Sequence, residues 1–316
     1  MWGWFLLLSG LILLFIGGEA LLRSSISLAK SFGISKLLIS AIIMGFGTSL
    51  PEMSVSIGAA LKGSSDIALG NVIGSNTSNI LLIVGLSALL TPILLPRALT
   101  RRDVLWMLGS TLALLVITKS NMLIFPVGIG LLVALSLYIY TSIKGDQEAM
   151  NEMYEHADED AGPETPYSPK VAIPMCIVGL VTLLYGADVM VDGALIIARK
   201  YMIPETVIGL TIIALGTSLP ELTMAVIASF RGHSDVVIGN VLGSNIFNIL
   251  FILGCTSLVM PISVDPHLAA VDIWVMTGAT ALLSVLLMLK SRISRFVGLP
   301  MLLGYATYIF LLFKVY

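Results

Sequence analysis

Two carboxylates, Glu52 and Glu221, each directly follow a proline inside an otherwise apolar stretch. The two stretches nearly coincide: GFGTSLPEMSVS (Gly45 to Ser56) and ALGTSLPELTMA (Ala214 to Ala225). A carboxylate surrounded by hydrocarbon is costly and marks a functional position. Proline lacks an amide hydrogen and clashes with the preceding turn, so both stretches read as helices interrupted near their midpoints. The interruption frees carbonyls around Phe46 to Thr48 and Leu215 to Thr217, beside the hydroxyls of Thr48, Ser49, Thr217 and Ser218. Hard cations such as calcium take about six to eight oxygen ligands, and carbonyl, hydroxyl and carboxylate oxygens all serve. Each glutamate opens a new half-helix, whose dipole favours negative charge there. The bland alternative is a kink whose glutamate is only an N-terminal partner, but it leaves a buried charge uncompensated.

A second motif follows each of these: SSDIALGNVIGSNTSNILL (Ser64 to Leu82) and HSDVVIGNVLGSNIFNILF (His233 to Phe251). Asn71, Ser75 and Asn79 recur every four residues and share a helix face, as do Asn240, Ser244 and Asn248. Gly70, Gly74, Gly239 and Gly243 would let a neighbouring backbone approach. Amide and hydroxyl oxygens on such a face can complete a cation cage. Ser75, Asn79, Ser244 and Asn248 are read as ligands, whereas Asn71 and Asn240 serve either as ligands or as interhelical hydrogen-bond partners. Glu19 and Asp188 lie near helix ends and can cap, snorkel or line an ion path. Asp66, Asp235, Asp103 and Asp272 read as helix-start residues. No HExxH, P-loop or GxSxG pattern occurs, and His156, His233 and His267 fall in predicted loops, so no catalytic constellation is expected and the chain is not read as an enzyme.

The elements that must hold these residues are membrane helices. The chain has 57% hydrophobic and 11% charged residues, against about 45–50% and 25% in ordinary soluble domains. At about 20 residues per span, 316 residues leave room for about ten helices and little else. Apolar runs place them at 3–22, 36–62, 66–91, 103–118 and 121–143, then 171–198, 204–230, 235–260, 270–289 and 295–314. The first run lacks a basic start and a cleavage site, so it is read as a helix rather than a signal peptide. Cys176 and Cys255 lie in apolar runs and read as small hydrophobes. Between the two sets lies the polar stretch Lys144 to Lys170, rich in Asp, Glu and Pro, which reads as a solvated linker with no EF-hand spacing.

Sliding the second half over the first by 169 residues pairs Met44–Ile93 with Ile213–Ile262 at about 24 identities in 50 positions, without a gap. The same offset pairs Glu19 with Asp188 and Asp103 with Asp272. Five helices per half is an odd number, so the second copy enters the membrane upside down, giving inverted repeats. The predicted organisation is an all-α integral membrane protein with broken helices at the midplane. Its parts are a first repeat at 1–144, an acidic cytoplasmic linker at 145–169 and a second repeat at 170–316. Twelve of the 17 Lys and Arg residues fall on one side of this scheme, which the positive-inside rule makes cytoplasmic and which leaves both termini outside.

GTSLPE with GNVIGSNTSN, and GTSLPE with GNVLGSNIFN, resemble the two alpha-repeats of the cation/calcium exchanger superfamily, above all prokaryotic sodium/calcium exchangers. The resemblance covers the motif helices strongly and the ten-helix plan more weakly. It implies antiport by alternating access at the cell membrane, with the first and sixth helices sliding across a core of the second, third, seventh and eighth. It also implies that Thr48, Ser49, Glu52, Ser75 and Asn79, with Thr217, Ser218, Glu221, Ser244 and Asn248, surround Ca2+ and Na+ as transported ions, without a cofactor or a nucleic-acid partner. Several family members carry an aspartate at one of the positions held here by Asn79 and Asn248. With asparagine at both, the site has two formal negative charges, enough to neutralise one calcium and short of three sodium ions. Exchange of Ca2+ for H+, carried by the same glutamates, and a passive cation channel are the alternatives to Na+/Ca2+ exchange.

Overall fold

The computed structural model describes residues 1–63, 65–94, 97–120, 123–156, 167–202, 214–262, 264, 268–289 and 292–315. They form helices α1 (Trp2–Phe32), α2 (Lys36–Thr48), α3 (Leu50–Leu61), α4 (Ile67–Leu90), α5 (Arg97–Ser120) and α6 (Phe125–His156). After the linker come α7 (Pro169–Lys200), α8 (Leu219–Phe230), α9 (Ser234–Val259), α10 (Ala270–Leu289) and α11 (Arg295–Val315). Among the described residues eight helices are long and apolar enough to cross a membrane, and α2 with α3 forms a further pair bent by 41°. The helix expected from 204 begins outside the described residues; its visible part is one turn at Ala214–Thr217 followed by α8. The only strands among the described residues are β1 (Ile93–Leu94) and β2 (Arg292–Ile293), an antiparallel pair that ties the end of α4 to the start of α11.

Layering follows hydropathy. α4 and α9 are mostly buried and fill the centre, while α1, α6, α7 and α11 turn large apolar side chains outward, among them Phe15, Val133, Val178 and Leu303. Such an exterior suits lipid, where helices satisfy their own backbone groups. α1 and α7 lie antiparallel along a seam of glycines at seven-residue spacing, Gly3, Gly10 and Gly17 against Gly193, Gly186 and Gly179. A Cβ on Gly17 would collide with the Leu183 amide nitrogen, so the two backbones touch. Close backbone contact of this kind replaces the hydrophobic drive that lipid cannot supply.

Several expectations change. α1 runs on to Phe32 because the residues after Arg23 remain helical and bury Ser24, Ser25 and Ser27; it ends where Gly33 takes a left-handed φ of 64°. The acidic stretch after Lys144 is not linker throughout, since α6 continues to His156 and buries Asp146 completely. The Asp146 carboxylate accepts hydrogen bonds from the Ser35 amide at 2.8 Å and from the Ser35 hydroxyl, and Ser35 in turn caps α2 by accepting from the Leu38 amide at 3.0 Å. That clamp pins the start of the helix that carries GFGT. Residues 157–166 of the linker lie outside the described residues.

Asp103 is likewise not a helix start. It sits inside α5, fully buried, bonded by Arg102 at 3.2 Å and by the Ser142 hydroxyl of α6 at 3.2 Å. Asp272 is buried at the foot of α10 and accepts from the Tyr308 hydroxyl at 2.8 Å. Asp235 does stand in the first turn of α9, accepting from the Val236 amide at 3.0 Å. Of the histidines, His156 ends α6 and His233 caps α9; His267 lies outside the described residues.

Candidate functional site

The interruption expected in each GTSLPE stretch is present. Ser49 (φ −82°, ψ 4°) separates α2 from α3, and Ser218 (φ −89°, ψ 5°) separates Ala214–Thr217 from α8 in the same geometry. Pro51 and Pro220 fall in the first turn after the break, and Glu52 and Glu221 share that turn. Proline cannot donate to the carbonyl four residues back, so the carbonyls of Gly47 and Gly216 lose their helical partners.

The two breaks meet. The Ser49 hydroxyl donates to Glu221 Oε1 at 3.5 Å, and the Ser218 hydroxyl donates to Glu52 Oε1 at 3.4 Å. Each carboxylate is therefore held from the opposite half of the chain. Both glutamates are only 1% exposed, and the second oxygen of each, Oε2, has no hydrogen-bond partner among the described residues. A buried charged oxygen without a partner costs several kcal/mol on the scale of about 1–3 kcal/mol for a neutral group and more for an ion.

The second motif surrounds this pair from α4 and α9. A π-helical turn starts at Asn79 (Asn79–Val84) and another at Asn248 (Asn248–Ile252). Such bulges widen a helix locally and gather at functional sites. Asn79, Asn248 and Ser244 are buried to within 1% and Ser75 to 6%. The Oδ1 atoms of Asn79 and Asn248 are also unpartnered. Among the described residues, every buried side-chain carboxylate or side-chain amide oxygen without a hydrogen bond belongs to Glu52, Glu221, Asn79 or Asn248.

The remaining predicted ligands are close by with their hydroxyls engaged. Thr48 donates to the Met44 carbonyl at 2.9 Å and lies 3.5 Å from Asn240 Oδ1; Ser244 donates to the Gly45 carbonyl at 3.4 Å. Thr217 is half-buried on the turn before Ser218. α2 reaches the site by crossing α9 at Gly243, where a Cβ would collide with the Ala41 carbonyl oxygen. Asn71 takes the interhelical role: its amide donates to the Glu52 backbone carbonyl and to the Ser56 hydroxyl, both at 3.0 Å. Asn240 is buried with Oδ1 toward Thr48 and Nδ2 unpartnered.

Three residues gain importance that the sequence reading did not give them. Asn76 and Asn245, one turn before Asn79 and Asn248, bond the amides of those residues crosswise between the halves: Asn248 Nδ2 to Asn76 Oδ1 at 3.0 Å, and Asn79 Nδ2 to Asn245 Oδ1 at 3.4 Å. Their signal was visible as the first asparagine of GSNxxN in both copies. Arg231, which caps the end of α8, grips Glu19 of α1 with two bonds, 2.7 and 3.2 Å. Glu19 also pairs with Arg23 at 2.7 Å, so it is an ion-pair hub rather than a bare cap. Asp188 is exposed on α7 and makes no ion pair among the described residues.

Comparison with known proteins gives a consistent picture. The family model described as sodium/calcium exchanger protein matches residues 2–144 and 171–314. The putative antiporter CaxA of Alkalimonas amylolytica is 35% identical across 97% of both chains. The sodium/calcium exchanger MaX1 of Methanosarcina acetivorans is 29% identical across 98% of both. Among solved structures, the sodium-calcium exchanger NCX_Mj soaked with 2.5 mM Na+ and 10 mM Sr2+ superposes with a TM-score of 0.84 at 32% identity, covering 97% of each chain.

Proposed function

This chain belongs to the sodium/calcium exchanger protein family and is a multi-pass membrane cation antiporter; on that premise we propose that it exchanges Na+ for Ca2+ by alternating access at one central site. In this reading ten helices form two inverted repeats, 1–144 and 170–316, joined by a cytoplasmic segment at 145–169. Both termini face outward across the cell membrane. Thr48, Ser49, Glu52, Ser75 and Asn79 from one repeat, with Thr217, Ser218, Glu221, Ser244 and Asn248 from the other, enclose the ion.

One observation carries the reading. Four unpartnered buried oxygens, two carboxylate and two amide, come in pairs from equivalent positions of the two halves. A divalent cation would satisfy all four and balance the two formal charges, and hydroxyls and freed carbonyls bring the oxygen count toward the six to eight calcium takes. Alternating access then needs a unit that moves past the site without dismantling it. The α1–α7 pair, joined backbone to backbone along its glycine seam, is suited to move as one body.

The test is Ca2+ uptake into proteoliposomes under separately imposed sodium, proton and voltage gradients. Uptake accelerated by an outward sodium gradient, and saturating with Ca2+, is the expected result. Uptake indifferent to sodium but driven by a pH gradient would transfer the coupling to protons on Glu52 and Glu221. Uptake that needs no counter-ion and does not saturate would make the protein a channel.

A further inference from the structure

We infer that Asn76 and Asn245 are positioning residues that fix which end of the Asn248 and Asn79 side-chain amides faces the transported cation. An asparagine side chain has a donor end and an acceptor end of nearly the same shape, so a buried asparagine serves as a cation ligand only if something holds the oxygen forward. In this protein the orientation follows from donor and acceptor rules alone. The Asn245 backbone carbonyl can only accept, and it lies 3.2 Å from Asn76 Nδ2. The Asn76 amide nitrogen must therefore face that carbonyl, which leaves Asn76 Oδ1 pointing the other way. That oxygen can only accept, and Asn248 Nδ2 lies 3.0 Å from it. Asn248 is thereby locked with its nitrogen toward Asn76 and its Oδ1 free of any hydrogen bond in a fully buried position.

The other half repeats the device at equivalent positions. Asn79 Nδ2 donates to Asn245 Oδ1 at 3.4 Å, and Asn79 Oδ1 is again buried and unpartnered. Here the anchor is weaker, because the Asn245 amide nitrogen has as its own partner the Met107 thioether at 3.8 Å, and sulfur is a poor acceptor. Asn248 is held more firmly than Asn79. A consequence concerns charge. Because Asn76 presents an acceptor, position 248 must supply a donor, and an ionised carboxylate there would set oxygen against oxygen. Asn76 thus favours a neutral side chain at 248 and keeps the charge of the cage on Glu52 and Glu221.

This inference rests on the reading that Asn79 and Asn248 face the ion, and double-mutant cycles separate the two. The full-length protein would be purified and reconstituted, with the half-saturating Ca2+ concentration read from flux and the Ca2+-induced rise in melting temperature read in detergent. Orienting partners of metal ligands are worth roughly 10- to 100-fold in affinity, so Asn76→Ala is expected to raise the half-saturating concentration within that range. In an Asn248→Ala background the same change should add less than about twofold, since residues acting through one another are not additive. Against Asn79→Ala it should add in full, and Asn245→Ala should show the reverse pairing with a smaller effect. Asn76→Ser retains a donor for the Asn245 carbonyl but falls short of Asn248, so it must reproduce the loss if Asn76→Ala fails to fold. If Asn248→Ala binds Ca2+ normally, the ligand reading falls and the inference with it. If Asn248→Ala loses affinity while Asn76→Ala and Asn76→Ser do not, or if the Asn76 and Asn248 effects multiply, the positioning role alone is overturned.

Discussion

The two halves of this chain match at their centre and differ at their edges. At the centre, Ser49 reaches Glu221 and Ser218 reaches Glu52 at nearly equal distances, 3.5 and 3.4 Å, with near-identical backbone angles at the two breaks. At the edge, Glu19 of α1 is held by Arg231 at 2.7 Å, whereas the equivalent pair, Asp188 of α7 and Lys62 at the end of α3, makes no ion pair among the described residues. A second edge difference is Asp146, which clamps Ser35; the residues at the equivalent positions are Val315 and Pro204, which have no side-chain acceptor or donor to offer. At the centre the two halves offer the same side chains, Glu52 with Glu221 and Asn79 with Asn248, each with an unpartnered buried oxygen. Contacts at the rim of the α1–α7 pair differ, and among the described residues the Glu19–Arg231 ion pair has no counterpart at the equivalent positions Asp188 and Lys62.

The largest effects are expected where the halves are equal. Glu52→Gln and Glu221→Gln should each reduce Ca2+ transport by about 100-fold or more, because each deletes half the charge of the site at a cost of about 3 kcal/mol or more. Both variants should fold, since the amide keeps the shape. A mutant pair differing by more than tenfold in flux would break the central symmetry. Next comes Asp146→Ala, which orphans the Ser35 amide and hydroxyl and should cost about 1–3 kcal/mol of stability, read as a lower melting temperature with Ca2+ affinity little changed.

Ser49→Ala and Ser218→Ala remove hydrogen bonds to ionised groups, worth about 1.5–3 kcal/mol at good geometry. At 3.4–3.5 Å the lower end applies, so each should weaken Ca2+ affinity by about tenfold, and to the same degree. The smallest effect belongs to the rim. An exposed ion pair is worth about 0.2–1 kcal/mol, so Arg231→Ala should shift the position of the α1–α7 pair by no more than about fivefold in population. Spin labels at the exposed positions Tyr185 on α7 and Leu61 on α3 would detect it. Arg231→Ala should enrich a shorter distance as Asp188 approaches Lys62, while Lys62→Ala leaves the distribution as it is. Equal shifts in both variants would remove the rim asymmetry.

The parts legible in the sequence were those written as residue type at fixed spacing. GTSLPE announced the break and its glutamate, because a proline inside a helix clashes with the preceding turn and leaves the carbonyl four residues back without its donor. The 169-residue offset announced that the two breaks would be related. What sequence did not reveal depends on partners brought from afar. Asn76 looked like one more polar residue of a motif until Asn245 and Asn248 stood against it, and Asp146 looked like linker until Ser35 covered it. The π-turns at Asn79 and Asn248 leave no mark in hydropathy, since they change the hydrogen-bond register without changing the apolar pattern. The glycine seam was visible in retrospect as seven-residue spacing in both α1 and α7, yet spacing alone did not say that the two helices were each other's partners.

A single cation held by oxygens from both halves is the central expectation. Anomalous diffraction from crystals of this protein soaked in Ca2+ tests that most directly. The predicted result is a peak touching Glu52 and Glu221 together, with Asn79 or Asn248 completing its shell, and lost in Glu52→Gln. A peak ligated by one half alone, or retained in full when Glu52 is changed, would contradict it.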